Sequence, residues 1–316
     1  MRELMTLPRE NISSQEHIAD GVDRLKDLMV NVYAIGGRRG AWVLVDAGMP
    51  FSATLIRRWA ERRFGAGTRP AAIVLTHGHF DHVGALRQLL QIWDVPVYAH
   101  PLEAPYLTGR SPYPPADPGV GGGAFSLLSP LFSRGPIEIS RWLRPLPADG
   151  TVPGLDNWRW IHTPGHTAGH ISLFRDDDRV LIAGDAFATT KQESLFAVAT
   201  QRPELHGPPA FLTTDWEAAE LSVQRLAGLI PNVIAAGHGT PMTGFGVAQA
   251  LDEFAENFVD WARPVQGRYV RHPAVTDERG VVSLPPATSY PAMPAFLAGM
   301  AIAGTFWYLA SRRRTS

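Results

Sequence analysis

I-V-L-T-H-G-H-F-D-H-V-G, residues 73–84, is the stretch that decides the fold. An apolar run over 71–75 reads as a strand, and 83–92 reads as a helix with apolar residues at helical spacing. The six residues between them that begin at His77 carry three histidines and a carboxylate. Imidazole and carboxylate suit zinc, iron or manganese, and donors grouped on one strand-to-helix loop lose little further backbone entropy when a cation gathers them. His77 and His79 are two apart, so an extended backbone turns both rings to one side. Asp81 and His82 are adjacent and must diverge. One loop can therefore serve two neighbouring metals.

The pattern H-x-H-x-D-H after an apolar strand resembles the metal loop of the metallo-β-lactamase-fold hydrolases, whose remaining ligands come downstream in a set order. Three later segments match that order: T-P-G-H-T-A-G-H with His166, V-L-I-A-G-D-A with Asp185, and V-I-A-A-G-H-G with His238. The resemblance implies a four-layer αββα sandwich of the α/β (α+β) class, closest in kind to the glyoxalase II and lactonase-like branch. It also implies two divalent ions, zinc first and iron or manganese as alternatives. His77, His79 and His166 would hold one, Asp81, His82 and His238 the other, and Asp185 would bridge them. Asp46 resembles the aspartate that orients the metal loop from behind, with the cap of the following helix as its competing role. His170 is either a support behind the ligands or a plain strand residue. His100, His162 and His206 have no supporting pattern.

Two cations that share a water lower its pKa to about 7 and present hydroxide to a carbonyl or phosphoryl centre. Asp81 is the candidate for proton transfer, since it carries an oxygen to spare, and Asp185, which the resemblance implies would bridge the ions, is the second catalytic candidate. The expected function is hydrolysis of a carboxylic ester, lactone or thioester. Two other classes use the same residues: a mononuclear iron persulfide dioxygenase, with iron on His77, His166 and Asp185, and a metal-binding protein without catalysis.

Composition narrows the field. With 316 residues, 45% hydrophobic and 19% charged, the chain is long enough for a sizeable core and reads as globular. A formal net charge of -1 and no basic run before the last residues give nucleic acid no footing. Cysteine is absent, which excludes disulfides, thiolate ligands and a cysteine nucleophile together. A small molecule is the expected partner, and an oligomer is compatible with the sequence. No secretory signal is visible, so a cytoplasmic location is expected. The tail 291–310 carries no charge and precedes three arginines at 312–314. Twenty such residues reach the length of a membrane anchor, although two prolines, two glycines and the side on which the arginines would lie argue for a helix packed on protein instead.

Taken in order, strands are expected at 28–35 and 41–45 around a glycine-rich turn. A helix capped by Ser52 should run to about 64, with Leu55, Ile56 and Trp59 on its apolar face. A short strand follows at 95–99. Residues 101–145 break the pattern with eight prolines up to position 136 and three consecutive glycines. They read as an insertion, a candidate lid, that turns Phe125, Leu127, Leu128, Leu131 and Phe132 inward. Strands follow at 158–162, 171–175, 180–183 and 233–236. A helix capped by Asp215 runs to 229, and another spans 247–261. The second half repeats the first in outline. A catalytic domain over 1–263 and a C-terminal extension over 264–316 are expected, with a hairpin over 268–284.

Overall fold

The computed structural model describes residues 15–37 and 40–287. The first sheet has seven strands in sequence order: β1 (Gln15–Ala19), β2 (Val22–Asp27), β3 (Val30–Gly36), β4 (Trp42–Val45), β5 (Ala72–Val74), β6 (Val97–Ala99) and β7 (Leu143–Pro145). β1 to β4 pair antiparallel, and β4 to β7 pair parallel. Helix α1 (Ala53–Phe64) makes the crossover from β4 to β5, and α2 (Leu86–Trp93) makes that from β5 to β6. The second sheet has six strands: β8 (Thr151–Val152), β9 (Leu155–His162), β10 (Ile171–Arg175), β11 (Val180–Gly184), β12 (Val233–Ala236) and β13 (Met242–Thr243).

Alternation along the strands builds the layers. In β3, Val32 and Ala34 pack with Ile56, Trp59, Leu86 and Leu90 of the helices, while Tyr33 and Ile35 face the other sheet. In β11, Leu181 and Ala183 face the second pair of helices, while Val180 and Ile182 join the core between the sheets. Side chains that alternate by two therefore fill three apolar layers, which is the αββα sandwich expected from the sequence. The sheets are also tied at one edge. The Asn31 side-chain amide donates to the carbonyls of Ala236 and Gly239 at 2.9 and 2.7 Å, and the Tyr33 hydroxyl donates to Ala236 at 2.6 Å.

Several elements differ from the sequence expectation. The 28–35 strand begins at Val30, because Leu28 stands in the left-handed region at φ 58° and makes a tight turn with β2. Helix α2 begins at Leu86 rather than 83, since the residues before it close the metal loop: the amides of Gly84 and Ala85 donate to the carbonyls of Gly48 and Ala47, and the His82 carbonyl accepts the amide of Ala47. Ser52 precedes α1 but does not cap it through its side chain, whose hydroxyl donates to Asp27 instead. Leu55 is exposed rather than part of the apolar face.

The 101–145 segment contributes β7 and the short helices α3 (Ala104–Leu107) and α4 (Ala124–Leu128), each too short for a continuous apolar stripe. In this stretch Ser126 and Ser129 are buried, whereas Leu131 is 69% exposed, so the inward apolar cluster holds only in part. After α5 (Leu195–Thr200), α6 (Trp216–Ala227) is capped by Asp215, whose carboxylate accepts the amide of Ala218. The helix expected over 247–261 is interrupted at Asn257, which separates α7 (Val247–Glu256) from α8 (Phe258–Trp261).

β14 (Val275–Asp277) and β15 (Gly280–Ser283) form a hairpin packed on the insertion. The Tyr269 hydroxyl donates to the carbonyl of Pro115, and the Arg268 amide donates to Asp117. The 291–310 segment lies outside the described residues. No helix among the described residues is long and apolar enough to cross a membrane.

Candidate metal centre

The parallel crossovers bring strand ends to one edge. His77 and His79 follow β5, Asp185 follows β11, His238 follows β12, and His166 sits between β9 and β10. All seven donors expected from the sequence converge there, and all are buried. Three groups of ligand atoms each lie within 4.8 Å of one another: His77, His79 and His166; His77, His82 and Asp185; and Asp81, His82 and His238. The Nδ1 of His79 is 2.9 Å from the Nε2 of His166. One Asp185 oxygen lies between the two trios, 3.5 Å from the Nε2 of His166, 3.5 Å from that of His82 and 3.1 Å from that of His238.

Four of the five histidines are held by the outer nitrogen, which turns the other toward the cluster, while the Nδ1 of His79 itself faces His166. The Nδ1 of His82 donates to the Oδ2 of Asp46 at 2.8 Å. The Thr76 hydroxyl donates to that same oxygen at 2.8 Å, and so accepts from the Nδ1 of His77 at 3.1 Å. The Thr213 hydroxyl donates to the Pro209 carbonyl and accepts from the Nδ1 of His166 at 3.1 Å. The Nδ1 of His238 donates to the carbonyl of Met29 at 2.8 Å. What remains inside is a set of buried atoms without partners: the Nε2 of His77 and of His82, and the Oδ1 of Asp81 and of Asp185. Buried polar atoms seldom stay unsatisfied, and these four sit where a cation would draw on them. The donor set fits divalent metal ions.

Electrostatics divides the cluster. Burial, then repulsion from neighbouring histidines, holds His77 and His166 well below the usual imidazole range and takes His79 to about 3, so these three are neutral donors. Burial also opposes charge on His82, but Asp185, Asp46 and Asp81 together raise it well above that range. His238 follows the same pattern through Asp185 and Asp81. Burial works against the charge on Asp185, yet His238 and His82 hold its carboxyl well below the usual carboxylate range.

His170 stands behind the ligands. Its Nε2 accepts the backbone amide of Asp185 at 2.8 Å and its Nδ1 donates to the carbonyl of Thr163 at 3.0 Å. Burial takes its pKa down to about 4. Asp46 contacts the metal loop and not the start of α1, so of its two expected roles the geometry matches the orienting one. His100 and His162 stack on each other at 4.2 Å and join none of the donor groups.

Two residues that sequence reasoning missed also belong here. Glu103 and Tyr113, both buried, lie beneath the loops of His77, His79 and His166. Burial raises the Glu103 carboxyl and the Tyr113 hydroxyl above their ordinary values. Their only sequence signal was ionisable side chains in a proline-broken stretch.

An αββα sandwich with a buried histidine and aspartate cluster at one edge defines a class of metal-binding folds. A family model of the metallo-beta-lactamase superfamily matches residues 25–238. The probable metallo-hydrolase YflN of Bacillus subtilis (strain 168) is 53% identical over 239 residues, which cover 75% of this chain and 90% of that protein. A second probable metallo-hydrolase of that organism, YybB, is 30% identical over 199 residues, covering 62% of this chain and 74% of that protein. Among solved structures, the metallo-beta-lactamase superfamily protein ST1585 from Sulfolobus tokodaii superposes with a TM-score of 0.50 at 21% identity, covering 76% of this chain and 86% of that one. That last likeness is one of fold alone. The chain belongs to the metallo-β-lactamase superfamily.

Proposed function

We propose that this chain is a dinuclear metal-dependent hydrolase of carboxylic esters, lactones or thioesters with an apolar acyl part. Support for the substrate comes from one observation, the lining of the cleft that opens onto Asp81 and His238. Met29, Phe80, Phe125, Phe132, Phe211 and Leu212 line it together with Pro209 and Gln192, and no lysine or arginine among the described residues takes part. Phe132 sits at its centre, 5.3 Å from Phe80 and 5.8 Å from Phe211 between ring centroids. An anionic phosphodiester needs cationic partners, whereas an uncharged acyl group gains from burial against aromatic rings.

In this reading His77, His79 and His166 would hold one ion, Asp81, His82 and His238 would hold the other, and Asp185 would serve both. Nitrogen and oxygen donors without cysteine favour zinc, and iron or manganese are compatible with the same set. Two such ions supply, when bound, a water acidic enough to ionise near neutral pH and a Lewis acid for the carbonyl oxygen.

The remaining work falls to the chain. The aromatic collar orients the acyl group and excludes bulk water. Because the cleft is narrow, the insertion that carries Phe125 and Phe132 is assigned as the lid that moves to admit substrate. Asp81 has one oxygen 3.5 Å from the Nε2 of His238 and the other without a partner. We assign it to take the proton released by the attacking water and return it to the leaving oxygen or sulfur.

A panel of acyl esters, thioesters and lactones of increasing chain length tests the proposal. Hydrolysis that favours longer acyl groups and is abolished by a chelator and by Asp185→Asn is expected. Protein with two equivalents of metal that turns over none of them, or that takes up oxygen with a persulfide in an iron-dependent way, would refute it.

A further inference from the structure

We infer that Glu103, which lies outside the ligand set, is a positioning residue that locks together the two loops carrying His77, His79 and His166, and that Tyr113 couples this lock to the insertion. The inference rests on the reading of those three histidines as one metal's ligands.

Glu103 ends a single 3-10 turn (Pro101–Glu103) directly after β6 and is fully buried. Its Oε2 accepts the amide of Gly78 at 3.0 Å and the hydroxyl of Tyr113. Its Oε1 accepts the hydroxyl of Thr167 at 2.7 Å and the amide of Gly169 at 3.0 Å. Gly78 stands between His77 and His79, and Thr167 follows His166. One carboxylate thus clasps both loops, one oxygen to each.

The chemistry of the four partners explains why this position needs an acid. All of them donate, and a carboxylate is the side chain that accepts at both oxygens without presenting a proton. The two backbones also come closer than a side chain would permit. A Cβ added to Gly78 would lie 2.6 Å from the Tyr113 hydroxyl oxygen, and one added to Gly169 would lie 2.7 Å from the Oε1 of Glu103. The Tyr113 hydroxyl also accepts the amide of Gly78 at 2.9 Å, and its ring packs 4.5 Å from that of His79. Tyr113 belongs to the insertion, whose Asp117 amide donates to the carbonyl of Phe211 in the cleft lining at 2.8 Å.

The other trio is held without Glu103. His82 leans on Asp46, and His238 on the carbonyl of Met29. Loosening the lock should therefore weaken one metal position and spare the other. Glu103→Gln tests this with little change in volume, because its amide nitrogen must face two donors on one side or the other. Tyr113→Phe removes only the hydroxyl.

Zinc bound to the full-length protein is titrated with a competing chelator, and His79→Ala marks which dissociation constant belongs to the first trio. Glu103→Gln is expected to weaken that constant roughly 10- to 100-fold, the range found for supports of metal ligands. Tyr113→Phe should weaken it severalfold, and the second constant should move less than about twofold in both. A folded Glu103→Gln protein with both constants unchanged, or with both weakened alike, overturns the inference. Should Glu103→Gln fail to fold, an unchanged first constant in Tyr113→Phe overturns it. If the wild type binds a single ion, the dinuclear proposal fails on its own, and the effect of Glu103→Gln on that ion still decides the role of Glu103.

Discussion

Replacing Asp46 with asparagine isolates what one carboxylate does for two histidines. Asp46 stands in the left-handed region at φ 62°, where asparagine is among the most tolerated residues, so the substitution leaves backbone strain nearly unchanged. Its carboxylate accepts three hydrogen bonds, from the Thr76 amide, the Thr76 hydroxyl and the Nδ1 of His82, each at 2.8 Å. Either orientation of an asparagine amide sets its NH2 against at least one of these donors. With the amide oxygen turned toward His82 one bond to a charged acceptor is lost, and with it kept toward the Thr76 amide two are lost, each worth about 1.5–3 kcal/mol. A loss of about 1.5–6 kcal/mol is expected, which in a chain of this size lowers the melting temperature by roughly 3–15 °C.

The same substitution disturbs the histidines. Where the amide nitrogen faces His82, the Nδ1 proton of His82 loses its acceptor and favours a move to Nε2, the atom that would have to stay bare to ligate. His77 feels the change through the Thr76 hydroxyl. Thermal unfolding in chelator and a zinc competition titration measure the two effects separately. A metal-free variant within ~0.5 kcal/mol of the wild type, the scatter of a neutral surface change, with unaltered zinc affinity would refute the reasoning.

Phe132→Ala should raise KM for long-chain acyl esters about 5- to 30-fold, equivalent to about 1–2 kcal/mol of lost aromatic burial, and leave kcat for an acetyl ester unchanged. Equal losses along the acyl series in steady-state kinetics would contradict an apolar collar. In Gly84→Ala the added carbon would lie 2.2 Å from the backbone nitrogen of Pro50, so a destabilisation of about 3 kcal/mol or more is expected in urea unfolding. A cost below ~1 kcal/mol would mean that the two backbones part easily. For the metal-free protein, His79 at about 3 and His170 at about 4 titrate below the unfolded value near 6.5. The unfolded chain then binds more protons between those values, so stability falls as pH drops below about 6.5, with the His170 share reaching about 3 kcal/mol by pH 4. Melting curves in chelator from pH 7 to 4 check this, and a flat profile would refute it.

The seven donors were legible because each sits on a short local signature, at the end of an apolar strand for His77, Asp185 and His238, in the loop that follows for His79, Asp81 and His82, and after a glycine turn for His166, and the order of those signatures carried the fold with it. β10 and β12 occupy the expected residues for the same reason, being short apolar runs between turns. β1 and β2 were missed because V-D-R-L-K-D buries polar side chains. Arg24 and Asp27 lie inside, and the alternation that marks a strand is lost. Glu103 was hidden for a different reason. Its partners Gly78 and Gly169 are 25 and 66 positions away, and nothing local to P-L-E-A-P announces them. Leu55 and Leu131 looked like core residues, but helix rotation and a 3-10 turn leave them outside.

Burial, and then repulsion among the histidines, depresses His77, His79 and His166, while Asp185 and Asp81 attract His82 and His238. A fold that gathers them must hold each against that repulsion with groups that are not themselves donors to metal. Asp46, Thr213 and the Met29 carbonyl each take a proton from an outer nitrogen, His170 fixes the Asp185 backbone, and Glu103 clasps two loops. These supports come from distant parts of both sheets and from the insertion, so the sandwich core stabilises them and not the metal. On the proposed reading, cations would meet a nearly finished site, and little of their binding free energy would go into ordering loops. Affinity would then depend on residues that never touch the ions as well as on those that do, and a variant scan limited to the seven donors would miss these supports.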